Sequence, residues 1–437
     1  MSLEIATSFE RLDEGMPEER AAFGMFTVQF GESFLTEGFD SYVPTARHGP
    51  LVSGYHAAEW FAWNWWRLCN EPRSKSPDAW HAHMMASIGE GYVWPNLSIF
   101  SDGVRTTILS DRSIRPDAKP FRFFGAPPCV MPTGQFQEAA EKFIAQIQQR
   151  LRESNIPETN LDRICTDLRC ERTTPEIALT RKFEALLGYD PDEGNSEIVR
   201  RLMADTRSMG EKAMQEVAAD HSQGGLVMTA DDLRDTAGRA GFPGSQRDTV
   251  RLGPGRIPPE DPNRAAWQLG TLLAQALREQ EKFEDRALPD DRLSALTGVT
   301  KDCLSDKDRR ADIAYMLDGK DDGTRIVFRS KWPTGRRFEL ARLLGDRLMN
   351  AREMGLFPAT RAYTFRQKAQ RSFAAELLAP YQAVEAMLGE NYSDEEAQKE
   401  VATHFQVSEL TIRTLLVNHH LLDRGEVDDP DTCGYAA

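Results

Sequence analysis

Apolar positions along the chain recur at two periods, and the switch between them divides it into segments. From about residue 20 to 130, short runs rich in aromatic and β-branched residues, FGMFTVQFG, YVWPNLSIFS, VRTTILS and FRFFGAPPCVM, are punctuated by Gly and Pro and predict strands. Among them, SGYHAAEWFAWNWWRLCNEP predicts one long helix, with Ser53 at its N-cap and Pro72 just past its end. Trp60, Trp63 and Trp66 recur every third residue, and Phe61 and Trp65 widen the stripe. Such a helix should be buried on most of its circumference and form the core of the first domain. Stacking on nucleic-acid bases is the rival use of an aromatic stripe, but it calls for interleaved cations, and only Arg67 follows.

Beyond residue 133 the period lengthens. In QFQEAAEKFIAQIQQRLRES, Phe136, Ala140, Phe143, Ile147 and Leu151 recur at three and four, which predicts an amphipathic helix. PEIALTRKFEALLGYD and SEIVRRLMADTRSMGEKAMQEVAAD predict two more. Residues 221–264 are dense in Gly, Pro and Asp and predict a long linker with a domain boundary. AAWQLGTLLAQALREQ and LPDDRLSALTGV then predict helices, the second after an Asp cap. ADIAYMLDGKDDGTRIVFRSK predicts two strands around the turn Asp318-Gly319-Lys320-Asp321-Asp322-Gly323. Three helical stretches follow, RRFELARLLGDRL, TFRQKAQRSFAAELLAPYQAV ended by Pro380, and EEAQKEVATHFQVSELTIRTLLVNHHLL. The last divides into two short helices around Gln406 to Ser408, in the manner of a helix-turn-helix. Its second helix carries only Arg413 as a base, so core packing is the simpler use.

The layout that results is an aromatic-rich α+β domain over 1–132, a helical region over 133–220, a linker over 221–264, a C-terminal domain over 265–425 with a small sheet and helices, and a disordered acidic tail over 426–437. The fold class is α+β, predominantly helical.

Length and composition, 437 residues of which 40% are hydrophobic and 28% charged, fit two or three globular domains. No apolar run approaches the roughly 20 residues that span a bilayer, so no membrane partner is expected. The segment MSLEIATSFERLDEG carries Glu4, Glu10, Asp13 and Glu14 and lacks the basic-then-apolar order of a secretion signal, which predicts a cytoplasmic protein. Six scattered cysteines, Cys69, Cys129, Cys165, Cys170, Cys303 and Cys433, read as reduced thiols. A net charge of −15 disfavours non-specific nucleic-acid binding by the chain as a whole while leaving local basic faces open to it. Two clusters are candidates for phosphate contact: Arg325, Arg329, Lys331, Arg336 and Arg337, then Arg361, Arg366, Lys368 and Arg371. A solvated face is the plainer reading of both.

WHAHMMASIGEG supplies His81, His83 and, further on, Glu90, with His56 and Glu59 upstream. His-x-His can ligate a metal, but without a third identified ligand these are weak candidates, and no cofactor is expected.

The order strand, hairpin, strand, helix, followed by an FAA helix and an FQVS segment, resembles the ImmA/IrrE-type metallopeptidase domain. That family is written as R-x-F-T-L-A-H-E-L-G-H, then F-A-A-x-L-L-M-P, then F-x-V-S. The matching stretches are Arg336-Arg337-Phe338-Glu339-Leu340-Ala341 continuing to Leu344-Gly345, then Phe373-Ala374-Ala375-Glu376-Leu377-Leu378-Ala379-Pro380, then Phe405-Gln406-Val407-Ser408. The likeness covers about residues 265 to 425. It implies a zincin-like fold in which two His, four apart on one helix face, hold zinc and an intervening Glu acts as general base. Here those positions hold Arg342, Leu343 and Asp346. A guanidinium has no free lone pair for a metal, and leucine cannot take a proton from water. The family's third, acidic ligand should fall between Arg361 and Ser372, where there is no Asp or Glu. The resemblance therefore leaves no catalytic residue. In place of the metal, Arg342 and Asp346 at i and i+4, with Glu339 at i−3 from Arg342, are expected to form an ion ladder.

Members of that family cleave a partner repressor in mobile-element, stress or phage-related control. The first functional expectation is thus an inert relative serving as a regulatory, sensing or protein-binding scaffold in a bacterial control or antiviral defence system. The second is a subunit of a nucleoprotein complex that uses the basic clusters. The third is a zinc peptidase with ligands recruited from elsewhere, such as His81, His83 and Glu90.

Overall fold

The computed structural model describes residues 2–74, 80–114, 120–259, 261–319, 323–351, 353 and 355–422. It is a helix-rich α+β structure whose described residues divide into two compact units, residues 2–200 and 201–422. The acidic tail, Cys433 and the turn residues Lys320 to Asp322 lie outside the described residues.

In the first unit, strand Leu3–Phe9 runs antiparallel to Phe23–Phe30, with Leu3 opposite Phe30 and Phe9 opposite Gly24. Leu51–Ser53 and Ser33–Phe34 pair with that second strand. A separate antiparallel sheet joins Leu97–Ser101, Arg105–Ser110 and Ala126–Pro132, and a third places Gly38–Asp40 between Thr45–Arg47 and Phe121–Phe123. The strands foreseen from FGMFTVQFG, YVWPNLSIFS, VRTTILS and FRFFGAPPCVM are all present. Leu3–Phe9 went unforeseen. Against these strands the 21-residue helix Thr133–Glu153 brings Phe136, Ala140, Phe143, Ile147 and Leu151 into a core with Phe26 and Phe61. Phe143 meets both edge-on, with ring centroids 5.6 and 6.0 Å apart.

The tryptophan helix differs from its expectation in two ways. It is two helices, Gly54–Trp63 and Trp65–Asn70, parted at Asn64, whose backbone leaves helical values and whose side-chain amide donates to the Trp60 carbonyl at 2.9 Å. Its inward stripe is Ala58, Phe61, Trp65 and Leu68, while Trp63 is 60% exposed. Two residues past Phe61 is about 200° around the helix, so Trp63 faces away from the core that Phe61 enters. Ser53 holds the N-cap position, but its hydroxyl donates to the Glu19 carbonyl instead of capping.

The expected domain borders also shift. Helices Thr133–Glu153, Asn160–Thr173 and Pro175–Leu187 lie in the first unit, so 133–220 is no domain of its own. The last helix expected there is broken by Gly210, at φ 91°, into Ser196–Met209 and Glu211–His221. Residues 221–264 are not a linker throughout. Thr229 and Asp232 form a capping box that starts helix Ala230–Ala240, and Phe242–Thr249 is an inner strand.

In the second unit that strand lies between Thr297–Val299 and Gly323–Val327, and the antiparallel sheet continues through Ala314–Asp318 to Leu356–Ala359. The two strands and helix expected from residues 311 to 348 are present in that order, the helix running Pro333–Met349. One core joins Phe242, Met316, Ile326, Phe328 and Phe357 of the sheet segment to Leu340, Leu344, Phe373 and Leu377 of the helices. Glycines set the helix spacing. A Cβ on Gly270, in helix Ala266–Glu281, would fall 2.2 Å from the Ala369 carbonyl oxygen of helix Phe365–Leu378. One on Gly345 would fall 2.5 Å from the Phe373 ring. Helices Glu395–Phe405 and Glu409–Asn418 complete the unit, with Ser408 capping the second through the Thr411 amide. Phe405, Ile412 and Leu416 are buried, and Arg413 is held by Gln398 and Glu395, so core packing accounts for this helix pair.

Candidate functional site

Helix Pro333–Met349 starts at a proline, where no amide hydrogen is needed, and is buried along most of its length. Its polar residues therefore have to find partners inside the protein. Arg336 donates to the carbonyls of Ser330, Cys303 and Arg309 at 2.7 to 2.9 Å. Arg337 donates to Asp290 and to the Leu288 carbonyl. Glu339 accepts from the backbone amides of Arg329 and Ser330, and burial pushes its carboxyl up.

At the positions where the resembling family would hold zinc, Arg342 donates through Nη2 to the Thr360 carbonyl at 2.7 Å and to the Gln367 side-chain oxygen at 2.6 Å. Leu343 is fully buried in the core. Both oxygens of Asp346 meet Arg366, Nε to Oδ1 at 2.7 Å and Nη2 to Oδ2 at 2.8 Å, and Asn350 adds a hydrogen bond at 2.9 Å. The expected ladder of Glu339, Arg342 and Asp346 is thus absent. Glu339 turns to the Arg329 and Ser330 amides, while Arg342 and Asp346 both reach helix Phe365–Leu378, through Gln367 and Arg366, because a helix buried on most sides meets its charged partners on neighbouring segments.

Burial, with the repulsion of Arg371 and Arg329 added, pushes the Arg342 guanidinium down to about 9. Arginine keeps its proton under ordinary conditions, so the shift expresses an incompletely neutralised charge. Arg366 shifts the other way: burial would lower it, but the Asp346 carboxylate outweighs burial and raises it. Glu216 accepts a hydrogen bond from the Thr364 hydroxyl at 2.6 Å, and burial pushes it up. Asp220 receives the Arg361 guanidinium at 2.9 Å. Gln367, Thr360, Glu216 and Asp220 were not singled out in the sequence. Glu216 and Asp220 sit more than 100 residues from their partners, and nothing local marks them.

A zinc ion does not fit this donor set. Arg342 and Leu343 offer no lone pair, Asp346 has both oxygens on Arg366, and among the described residues no three His, Cys, Asp or Glu side chains gather to hold a metal.

The basic candidates separate by environment. Arg336 and Arg337 are buried, while Arg361, Arg366 and Arg371 are held by carboxylates or carbonyls of the protein. Arg325, Arg329 and Lys331 are exposed, and Lys331 lies 4.9 Å over the ring of exposed Trp332. Lys368 is half-buried.

The histidine candidates do not converge. His81 and Glu90 are exposed, Glu90 at φ 52°. His83 is buried and stacked on Phe100, with Nδ1 2.7 Å from the Ile99 carbonyl oxygen and Nε2 2.9 Å from Glu71. Glu71 is also gripped by Arg67, which reaches on to Asp190. Burial would raise the Glu71 carboxyl, but His83 and Arg67 outweigh it and hold it below the usual range. His56 packs on Tyr55, and Glu59 accepts from the Tyr55 hydroxyl at 2.7 Å.

No family model matches the chain, and no curated protein or solved structure is detectably similar to it. Among the described residues no helix is long and apolar enough to cross a membrane.

Proposed function

We propose that the chain is a catalytically inactive relative of the ImmA/IrrE-type zinc peptidases, acting as a regulatory or sensing scaffold that binds a protein partner in the cytoplasm of a bacterium, in mobile-element, phage or defence control. One observation carries the reading. The residues in the positions of the two ligands and the base are a guanidinium on neutral acceptors, a core leucine and a carboxylate gripped on both oxygens by Arg366. The retained sheet, helix order and glycine-spaced helix contacts support a framework kept for shape. Metal analysis of the purified full chain tests it: no stoichiometric zinc and no zinc-dependent peptide hydrolysis are expected. Zinc at one per chain that disappears in Asp346→Ala would sink the reading.

A second reading, a subunit of a nucleoprotein complex, is favoured by exposed Arg325, Arg329, Lys331 and Trp332, a set of cations beside an aromatic platform. Oligonucleotide affinity across a salt series decides it. Phosphate contact requires affinity to fall steeply as salt rises, and a flat response removes this reading.

A further inference from the structure

Most sheet edges in this protein are blunted. Ser33–Phe34 is two residues long, and Leu51–Ser53, Thr45–Arg47, Phe121–Phe123 and Thr297–Val299 are three. Ala126–Pro132 carries Pro127 and Pro128 and a break in register between Ala126 and Cys129. Leu356–Ala359 contains Pro358, whose carbonyl takes the side-chain amides of Gln367 and Gln370. Leu97–Ser101 is covered: Met84 bridges to Ser98, His83 Nδ1 lies 2.7 Å from the Ile99 carbonyl oxygen, and the Ser101 amide donates to the Glu71 carbonyl. Such devices keep unpaired main-chain groups from adding a foreign strand.

Strand Leu3–Phe9 has almost none of them. It is seven residues long, holds no Pro, Lys or Arg, and pairs with Phe23–Phe30 in unbroken register. The Gly31 amide on the Ser2 carbonyl and the Glu10 amide on the Phe23 carbonyl fix its phase. Even-numbered residues bond to the neighbouring strand, and the main chain of Leu3, Ile5, Thr7 and Phe9 points out from the sheet edge. Among the described residues only the Gln146 side chain bonds to any of these groups, at 3.4 Å on the Thr7 carbonyl, an acceptor with a second lone pair. The side chains of Leu3, Ile5 and Thr7 are buried, which anchors the strand, while Glu4 and Ser8 between and beside them are exposed.

We propose that Leu3–Phe9 pairs antiparallel with the same strand of a second copy of the chain, joining two first units through one continuous sheet. Laid over its full length on itself, the strand sets Leu3 opposite Phe9 and Ile5 opposite Thr7, so every outward amide and carbonyl finds a partner. The two-fold axis falls at Ala6, in a pair without main-chain bonds, where side chains come closest and a methyl fits. Glu4 comes opposite Ser8, so no like charges meet, whereas an axis at Glu4 would oppose two carboxylates. A strand complementary to itself in bonding phase, side-chain size and charge names its own copy as the occupant of the edge. This holds whether or not the second unit has a peptidase ancestry.

Light scattering of the full chain over a roughly hundredfold range of concentration tests the pairing, with a mass that rises from one chain to two expected. Ala6→Lys, at a half-buried position on the solvent-facing side, sets two cations together on the axis. It should raise the dissociation constant at least about tenfold while leaving the far-UV circular dichroism of the dilute protein unchanged. Mild oxidation of Ala6→Cys should join two chains through position 6, where a Cα separation of about 4.5 Å suits a disulfide. Glu4→Cys should not join through position 4, since its two copies stand about 13 Å apart along the strands. Peptide mass spectrometry distinguishes these links from any made by Cys165 or Cys170. The proposal is overturned if the chain stays monomeric throughout, if Ala6→Lys dimerises as the wild type does, or if position 4 links as readily as position 6. Should Ala6→Lys fail to fold, the two cysteine variants decide.

Discussion

Asp346 and Arg366 show what a charge requires when it is fully enclosed. Asp346 has no exposure, and Arg366 meets both of its oxygens. Removing one partner leaves the other uncompensated, so Arg366→Ala should cost on the order of 3–5 kcal/mol in urea unfolding. Replacing both at once, Asp346→Leu with Arg366→Met, should cost clearly less, because no buried charge is orphaned. Equal losses would show that the pair's contribution is packing rather than charge. Glu71 adds a pH dependence in the first unit. Its folded carboxyl is held below the ordinary value of about 4.3, so the stability it contributes is complete above that pH and is lost as pH falls through the lower folded value. Glu71→Gln should therefore flatten the acid side of a plot of thermal midpoint against pH. An unchanged acid limb would remove Glu71 as its source.

The helices of the second unit are spaced by what two glycines lack. Gly270→Ala places a methyl 2.2 Å from a backbone oxygen that has no side-chain freedom to yield. A loss of about 1–3 kcal/mol in denaturant unfolding is expected, the usual cost of overpacking. Gly345→Ala meets a side chain, the Phe373 ring, which can turn, so its loss should be the smaller of the two. Elements whose apolar residues keep a regular period were legible in the sequence: Thr133–Glu153, Pro333–Met349, the Ala314–Val327 hairpin and the pair around Gln406. Phe242–Thr249 was not, because FPGSQRDT carries loop composition. Its Gly244 serves close strand approach, with Thr324 and Val299 both 2.8 Å from where a Cβ would stand. At the site, the positions of Arg342, Leu343 and Asp346 could be read, but their partners could not. Along a helix, spacing suggests charged partners at i±4, whereas burial sent Arg342 to Thr360 and Gln367 and gave Asp346 the guanidinium of Arg366, with only the neutral Asn350 at i+4.

Across the whole chain, the two units offer separate optical reports. Six of the eight tryptophans, Trp60, Trp63, Trp65, Trp66, Trp80 and Trp94, belong to the first unit, and only Trp267 and Trp332 to the second. Tryptophan emission thus follows mainly the first unit, while far-UV circular dichroism follows both. Arg366→Ala should shift part of the dichroism transition to lower urea while leaving the main emission midpoint in place. A joint shift of both signals would mean that the units unfold as one, which two-state treatment of the chain would then allow.

The absent side chain at Gly270 also bears on how the second unit can respond to a ligand. With backbone against backbone, helix Phe365–Leu378 is keyed lengthwise to its neighbour, since a slip of one residue rise, about 1.5 Å, would bring a side chain to where only hydrogen fits. Arg366, Gln367 and Arg371 ride on that keyed helix. A signal starting among them must therefore travel by side-chain rotation or by the loop before the helix, not by a piston stroke along its axis.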